Sequence, residues 1–554
     1  MIPKMPAGPL KCIGKPAVQG LAGLAAAGIA ILTSSSASLG FAQSAAMTSA
    51  SAVAIVLPPL PQVVVTLPKH GETIHLNYPA PAPSKPSDIM PGPPRATVAD
   101  PVASSLAAVP AALPENPALI RALAALPSPG QPLGKPLLAH TYGNFRAAVS
   151  QQYAINAQQP IFAASDGGGS AQWSDAARGL ALRLSLAAHD GIDLKQTPLP
   201  TMNIAPTDGA DVALTAAVLN YAWQAEGGRV NPSFISRFVE LKPTILPPAD
   251  VLASIRAAGS TAGQALQKLN PHQPGYQRLR SRLIALLAQR PAPEAQALLS
   301  ANQDAHIVRA GVDLVQRRWR ADRNGLVVNM EFWRWQQPAT GSAQIVVNIP
   351  EFALRLRKGG QTLLMRKVIV GKSTTPTPLL NSKINYIIIN PSWHVPQSIV
   401  QKDFLPKLES NPDYLAEHGF DVHVKNGQLI VKQPPGPHNA LGLIKFIFPN
   451  DQSVYLHDTS ERRLFSSRFR AFSHGCVRLQ EPFSLAAALL GTKWPQKRLK
   501  SMVGSREHYL RFDQVVPIQI EYFTIYAKGN GQLVQFADLY GYAGKVQTAL
   551  GLRT

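Results

Sequence analysis

The sequence predicts an α+β chain of several parts: a mainly β domain near the C-terminal end, an α-helical scaffold before it, and a disordered Pro/Ala-rich linker at the N-terminal end. Three observations predict this. Apolar residues recur at three- and four-residue spacing from Pro117 to Trp335, and after Gln344 the period switches to two. The prolines are uneven, with 19 of the 50 falling between Pro58 and Pro136, a density that no regular packed domain sustains.

The 554 residues suffice for two to four domains, and 45% of them are apolar, so a sizeable core is available. No strongly apolar run reaches the roughly 18 residues that a spanning helix needs, which excludes a polytopic membrane protein. The formal charge of +21 favours partners with anionic groups. With two cysteines, Cys12 and Cys476, neither a disulfide scaffold nor a cysteine-rich metal site is available. No HExxH pattern or carboxylate ligand pair accompanies the histidines, so no metal and no cofactor is expected.

Taken in order, residues 1–42 read as an export signal. Lys4, Lys11 and Lys15 precede an apolar run from Ala17 to Leu32, and Gly40-Phe41-Ala42 offers a small-x-small cleavage site. Uncleaved, the same segment would act as a membrane anchor. Residues 43–116 read as the linker: Leu57-Pro-Pro-Leu-Pro and Tyr78-Pro-Ala-Pro-Ala-Pro favour extended polyproline geometry. Residues 117–335 form the scaffold, with helices expected over Trp173–Ala188, Asp211–Ala225, Leu279–Leu287 and Ile307–Trp319. Gly227-Gly228 stops the second, and proline-rich breaks at 197–206, 243–248 and 291–293 separate the helices. The cluster Arg317-Arg318-Trp319-Arg320 reads as a solvated helix face rather than a nucleic-acid site, because no nucleic-acid fold signature accompanies it. Residues 336–528 form the β domain. Runs at Ile345–Ile349, Phe352–Leu356, Met365–Val370, Ile384–Ile389, Gln428–Val431, Ile444–Phe448, Val454–Leu456 and Val516–Tyr522 read as strands, and Gly359-Gly360 as a hairpin turn. Helices are expected at Phe404–Glu417 and Pro482–Leu490, and residues 529–554 are left as a tail.

Chemistry concentrates at two places in the β domain. His457 closes a strand-like run, and sixteen residues later begins Ser473-His474-Gly475-Cys476-Val477-Arg478. A thiol is mostly protonated at neutral pH, and a neighbouring imidazole can take its proton and hold the thiolate as an ion pair. Gly475 permits close backbone approach, so the amides of Gly475 and Cys476 are candidates for an oxyanion hole. A free cysteine is usually a small buried hydrophobe and a single histidine an ordinary polar residue. The pairing of His-Gly-Cys with an upstream His, on the single thiol that an exported mature chain would retain, favours the nucleophile.

These residues resemble the signature of the YkuD-type L,D-transpeptidases. The likeness extends to Val370-Gly371-Lys372, Thr375-Pro-Thr-Pro, Asn390-Pro391-Ser-Trp393-His-Val-Pro396, Pro434-Pro-Gly436-Pro-His-Asn439-Ala-Leu-Gly442 and Phe448-Pro-Asn450, which resemble the large periplasmic branch represented by YcbB. It is weaker over Trp173-Ser-Asp, Gly228-Arg229-Val and Tyr276-Gln-Arg-Leu279, which resemble that branch's scaffold subdomain. The resemblance implies a periplasmic enzyme in which Cys476 attacks the stem peptide of peptidoglycan and His457 acts as base and then acid. Ser473, His474 and Gly475 shape the nucleophile loop and oxyanion hole. Arg478 serves the loop or a substrate carboxylate, while Tyr455 and Trp393 line the cleft. Partners would be stem peptides and glycan strands, with other cell-wall synthesis proteins as further candidates, no nucleic acid, and a membrane only through an uncleaved signal. Two departures stand out: Leu287–Ile307 leaves no room for a peptidoglycan-binding module, and Phe420–Lys432 is short for the substrate-capping insertion. Hydrolysis of the same acyl-enzyme by water, attachment of an envelope protein, and an inactive envelope-binding scaffold are the competing readings. A papain-like peptidase is disfavoured because His457 precedes Cys476.

Overall fold

The computed structural model describes residues 63–66, 73–76, 116–126, 145–165, 170–289, 305–337 and 343–553. The expected signal, most of the linker and the proline break at 291–293 lie outside them. Inside the linker, β1 (Val63–Thr66) pairs antiparallel with β2 (Thr73–Leu76). The expectation of unpaired extended chain therefore fails locally, where the β-branched run Val63-Val-Val-Thr66 escapes the prolines on either side.

The scaffold comprises α1 (Pro117–Ala124), α2 (Phe145–Ile155), α3 (Asp175–Ser185), α4 (Asp208–Gly227), α5 (Pro232–Ile235), α6 (Pro248–Ala257), α7 (Ala262–Gln267), α8 (Pro274–Ala288) and α9 (Ala305–Arg334). A small hairpin of β3 (Ala163–Ser165) and β4 (Ala171–Trp173) precedes α3. Ser174 caps α3 by accepting from Ala177 N, and Thr207 caps α4 by accepting from Ala210 N. α4 is buried on nearly every side, as its lack of a polar stripe requires, and it ends at Gly228, whose φ of +80° suits glycine. Helices α1, α3, α4, α6 and α7 share one apolar core. The arginine cluster at the middle of α9 is a solvated face: Arg317 and Arg318 are exposed, while Trp319 donates to Leu286 O at 3.0 Å.

The C-terminal half is built on nine strands in the order β14-β7-β15-β13-β12-β8-β16-β5-β6. They are β5 (Ala343–Asn348), β6 (Ala353–Lys358), β7 (Gln361–Gly371), β8 (Leu380–Ile389), β12 (Ile444–Ile447), β13 (Leu456–His457), β14 (Ala471–Ser473), β15 (Val477–Leu479) and β16 (His508–Glu521). Long β7 pairs with β6 through its first part and with β15 through its last, so the sheet returns on itself. Gly359 and Gly360 both have positive φ, as a tight β6–β7 hairpin requires. The end of α9 packs on this sheet, with Trp333 stacked on Phe523 at 4.5 Å, and one continuous core runs from α8 and α9 through the strands. Helices α12 (Pro482–Leu490) and α13 (Gln496–Ser501) follow β15 and the loop at 474–476 that precedes it.

Residues 393–433 form a cap with a small core of its own, in which Val395, Val400, Phe404, Leu405, Leu408, Leu415, Leu429 and Val431 are buried together. It contains β9 (Trp393–His394), a helical stretch over 397–404, α10 (Leu405–Ser410), α11 (Tyr414–Glu417), and the hairpin of β10 (Asp421–Lys425) with β11 (Gln428–Gln433). Phe420–Lys432, read from sequence as a short segment, is thus one hairpin of a larger capping unit.

Residues 529–553 are not a loose tail. β17 (Ile525–Ala527) pairs with β18 (Leu533–Gln535), and α14 (Tyr542–Ala549) contributes Tyr542, Val546 and Ala549 to the core, joined by Leu550 just after it. Apolar residues at helical spacing in this stretch account for the packing.

Candidate active site

Cys476 lies in the three-residue connection between β14 and β15, which flank the end of β7. β14 runs parallel to β7, with Ala471 opposite Val370, and β15 runs antiparallel to it, with Arg478 opposite Ile369. β15 also pairs in parallel with β13, setting Leu456 beside Val477 and His457 beside Arg478. That register brings the sequence-distant His457 to the strand next to the nucleophile loop.

The loop is tied from within and from below. Ser473 Oγ donates to Cys476 O at 2.5 Å and accepts from Gly475 N at 3.2 Å. Thr375 Oγ1 donates to Ser473 O at 3.1 Å, and Thr377 Oγ1 donates to Gly475 O at 2.7 Å while accepting from Gly371 N at 2.8 Å. Tyr540 Oη donates to Gly371 O at 2.8 Å and accepts from Thr377 N at 3.1 Å. A Cβ on Gly371 would collide with Thr375 O, so only glycine permits this close approach. Gly475 has φ +118°, a conformation that favours glycine over any residue with a side chain. Its amide is occupied by Ser473, which corrects the expectation that both Gly475 and Cys476 amides are available to an oxyanion.

Cys476 is half-buried against the core. Enclosure raises its pKa, opposed by the backbone and hydroxyl of Tyr455 and the positive charges of Lys445 and Arg478. His457 is buried and its pKa is lowered to about 3, first by burial and next by the charge of Arg478, with the backbones of Asp458 and Leu441 opposing. Its Nδ1 makes no hydrogen bond. Burial thus favours the uncharged form of each group, the thiol and the imidazole. The ring's unpartnered Nδ1 remains suited to accept a proton.

The remaining sequence candidates divide. Tyr455 is half-buried with its ring edge-on to His457, centroids 5.6 Å apart. His474 projects from the loop toward the cap, its Nε2 3.1 Å from Asp403 Oδ2. Arg478 donates to Glu461 Oε2 at 2.8 Å and also lines a cavity of about 820 Å³ under the cap, together with Trp393, Phe404, Phe420, Asn439 and Glu461. Trp393 both walls this cavity and packs on Phe404 and Phe420 at 6.4 and 6.1 Å, so lining and packing coincide in one residue. Sequence reasoning missed Lys445, Asp403, Thr377 and Tyr540. Thr377 carried a signal within Thr375-Pro-Thr-Pro; the other three carried none.

Residues 342–497 match the family model for the L,D-transpeptidase catalytic domain, YkuD, and residues 147–283 match that for the Scaffold domain. Residues 342–497 are therefore a YkuD L,D-transpeptidase catalytic domain, with a Scaffold domain ahead of it over 147–283. A Haemophilus influenzae protein named "Putative L,D-transpeptidase" is 32% identical over 226 residues, covering 37% of this chain. The match spans less than half of that relative, 45% of its length. Among solved structures, an L,D-transpeptidase from Mycobacterium smegmatis is 14% identical, covering 32% of this chain and 58% of that one with a TM-score of 0.19. The catalytic domain of the E. faecium L,D-transpeptidase is 17% identical, covering 33% and 99% with a TM-score of 0.17. At such scores these structures add nothing to the assignment, which rests on the family matches and the curated relative.

Proposed function

We propose that the chain is a peptidoglycan L,D-transpeptidase that joins stem peptides by 3→3 cross-links through a thioester on Cys476. What supports this reading is the β13–β15 pairing, which puts the buried His457 on the strand next to the braced loop that carries the half-buried Cys476. In the first half-reaction Cys476 Sγ attacks the carbonyl between the third residue of a tetrapeptide stem, a diamino acid, and its terminal D-amino acid. His457 takes the thiol proton. The C–N bond breaks, and the imidazolium returns that proton to the leaving D-alanine amine. In the second half, the side-chain amine of another stem attacks the thioester, its proton passes through His457, and the thiolate is released. The Cys476 amide is the donor offered to the oxyanion, since that of Gly475 is engaged. The backbone of Leu441, beside His457, orients the ring. Stem carboxylates suit a chain of charge +21, and an export signal would deliver it to the periplasm.

Incubation of the purified chain with tetrapeptide muropeptides, followed by mass analysis, tests this. A dimer equal to two tetrapeptide units less one D-alanine supports cross-linking. Tripeptide alone would mean that water is the acceptor, and unchanged substrate would contradict the reading.

A further inference from the structure

Lys445 stands on β12 directly across from His457 on β13. Its side chain does not run out to solvent: it is half-buried, with Nζ 3.7 Å from the centroid of the Tyr455 ring. Among the described residues no carboxylate lies within ion-pair distance of it, and its charge is felt at both Cys476 and His457. A lysine serving only as a packing stem would carry its ammonium to water.

We propose that Lys445 is a positioning residue of this site, its unpaired ammonium held on the Tyr455 ring so that it stabilises negative charge at Cys476. The inference rests on the reading of Cys476 as the nucleophile and extends it to the group that offsets the thiol's enclosure. Two effects follow from one charge. A cation near the sulfur favours the thiolate and the anionic tetrahedral adduct. The same cation disfavours imidazolium, making protonated His457 a stronger acid toward the leaving amine. The aromatic face holds the ammonium without cancelling its charge, as a carboxylate partner would. The titratable and charged groups that act on the thiol are Lys445, Tyr455 on the approach to β13, and Arg478 on β15; Glu507 acts on Lys445, and Arg478 and Lys445 both act on His457. His474 and Asp403 stand at the cap side, and of all these Lys445 is the cation without a carboxylate partner, since Arg478 is bound by Glu461.

The test is the pH dependence of iodoacetamide alkylation, followed on the peptide that carries Cys476, in the full chain and in Lys445→Met, Lys445→Gln and Lys445→Arg. The neutral variants should alkylate about three- to tenfold more slowly at pH 7, with the midpoint moved up by roughly half to one pH unit. Lys445→Arg should stay within about twofold of the parent. An unmoved midpoint in a folded neutral variant would overturn the proposal, as would loss of folding in both neutral variants, which marks a purely structural residue. Because alkylation needs no substrate, a shifted midpoint in a chain that cross-links nothing would fault the proposed activity and leave this inference standing. An unshifted midpoint in a cross-linking chain would do the reverse.

Discussion

His474 Nε2 lies 3.1 Å from Asp403 Oδ2, and this pair joins the nucleophile loop to the cap. Both side chains are about one-third exposed, so the pair contributes at most about 1 kcal/mol to global stability. Its importance is local, where residues 397–404 meet the loop. Asp403→Ala should leave the melting temperature within about 2 °C while amide hydrogen exchange across 397–417 accelerates. Unchanged exchange would mean that the cap is held by its own core alone.

The buried His457 makes stability depend on pH. Its pKa in the folded chain, about 3, lies below the ordinary 6.5, so the unfolded chain binds the proton more readily. The contribution is complete above about pH 6.5 and is lost progressively as the pH falls toward 3, an effect on the order of a few kcal/mol. Denaturant unfolding of the parent should weaken between pH 7 and pH 4 more steeply than that of His457→Gln. Parallel curves would place the ring in solvent instead.

Tyr540 braces the nucleophile loop at one remove, through Gly371 and Thr377. Tyr540→Phe removes one hydroxyl and leaves two buried backbone groups without their partner, which should cost about 1–3 kcal/mol in unfolding free energy. Turnover should fall beyond what the residual folded fraction explains, because Gly475 O loses a rigid anchor. A folded variant with parental turnover would show that the brace is dispensable.

The sequence made the chemistry legible and left its surroundings hidden, for physical reasons. Cys476 and His457 could be singled out as candidates because few residue types carry that chemistry and their spacing is distinctive. The strand ending at His457 and helix Pro482–Leu490 were also readable, from period and from the proline at the helix start. Lys445 was not, because in Ile444-Lys-Phe-Ile447 it looks like the polar member of an ordinary alternating strand. Only the register with β13 and the return of Tyr455 give its charge a target. Asp403 depends on a cap that folds over a loop some seventy residues away in sequence. Tyr540 sits between a short strand and the helix that starts at Tyr542, so no periodicity points it toward the loop. The availability of the Gly475 amide likewise turned on one hydroxyl, that of Ser473.

The most direct test of the central claim is intact-protein and peptide mass spectrometry after incubation with a carbapenem. Such a compound presents a strained amide to the nucleophile, and opening it leaves a thioester with no atom lost. Acylation should accelerate with rising pH, since the thiolate is the reactive form. The account predicts a mass increase of one intact carbapenem, located on Cys476, absent in Cys476→Ala and greatly slowed in His457→Ala. An unmodified parent chain, or an adduct that persists in Cys476→Ala, would contradict it.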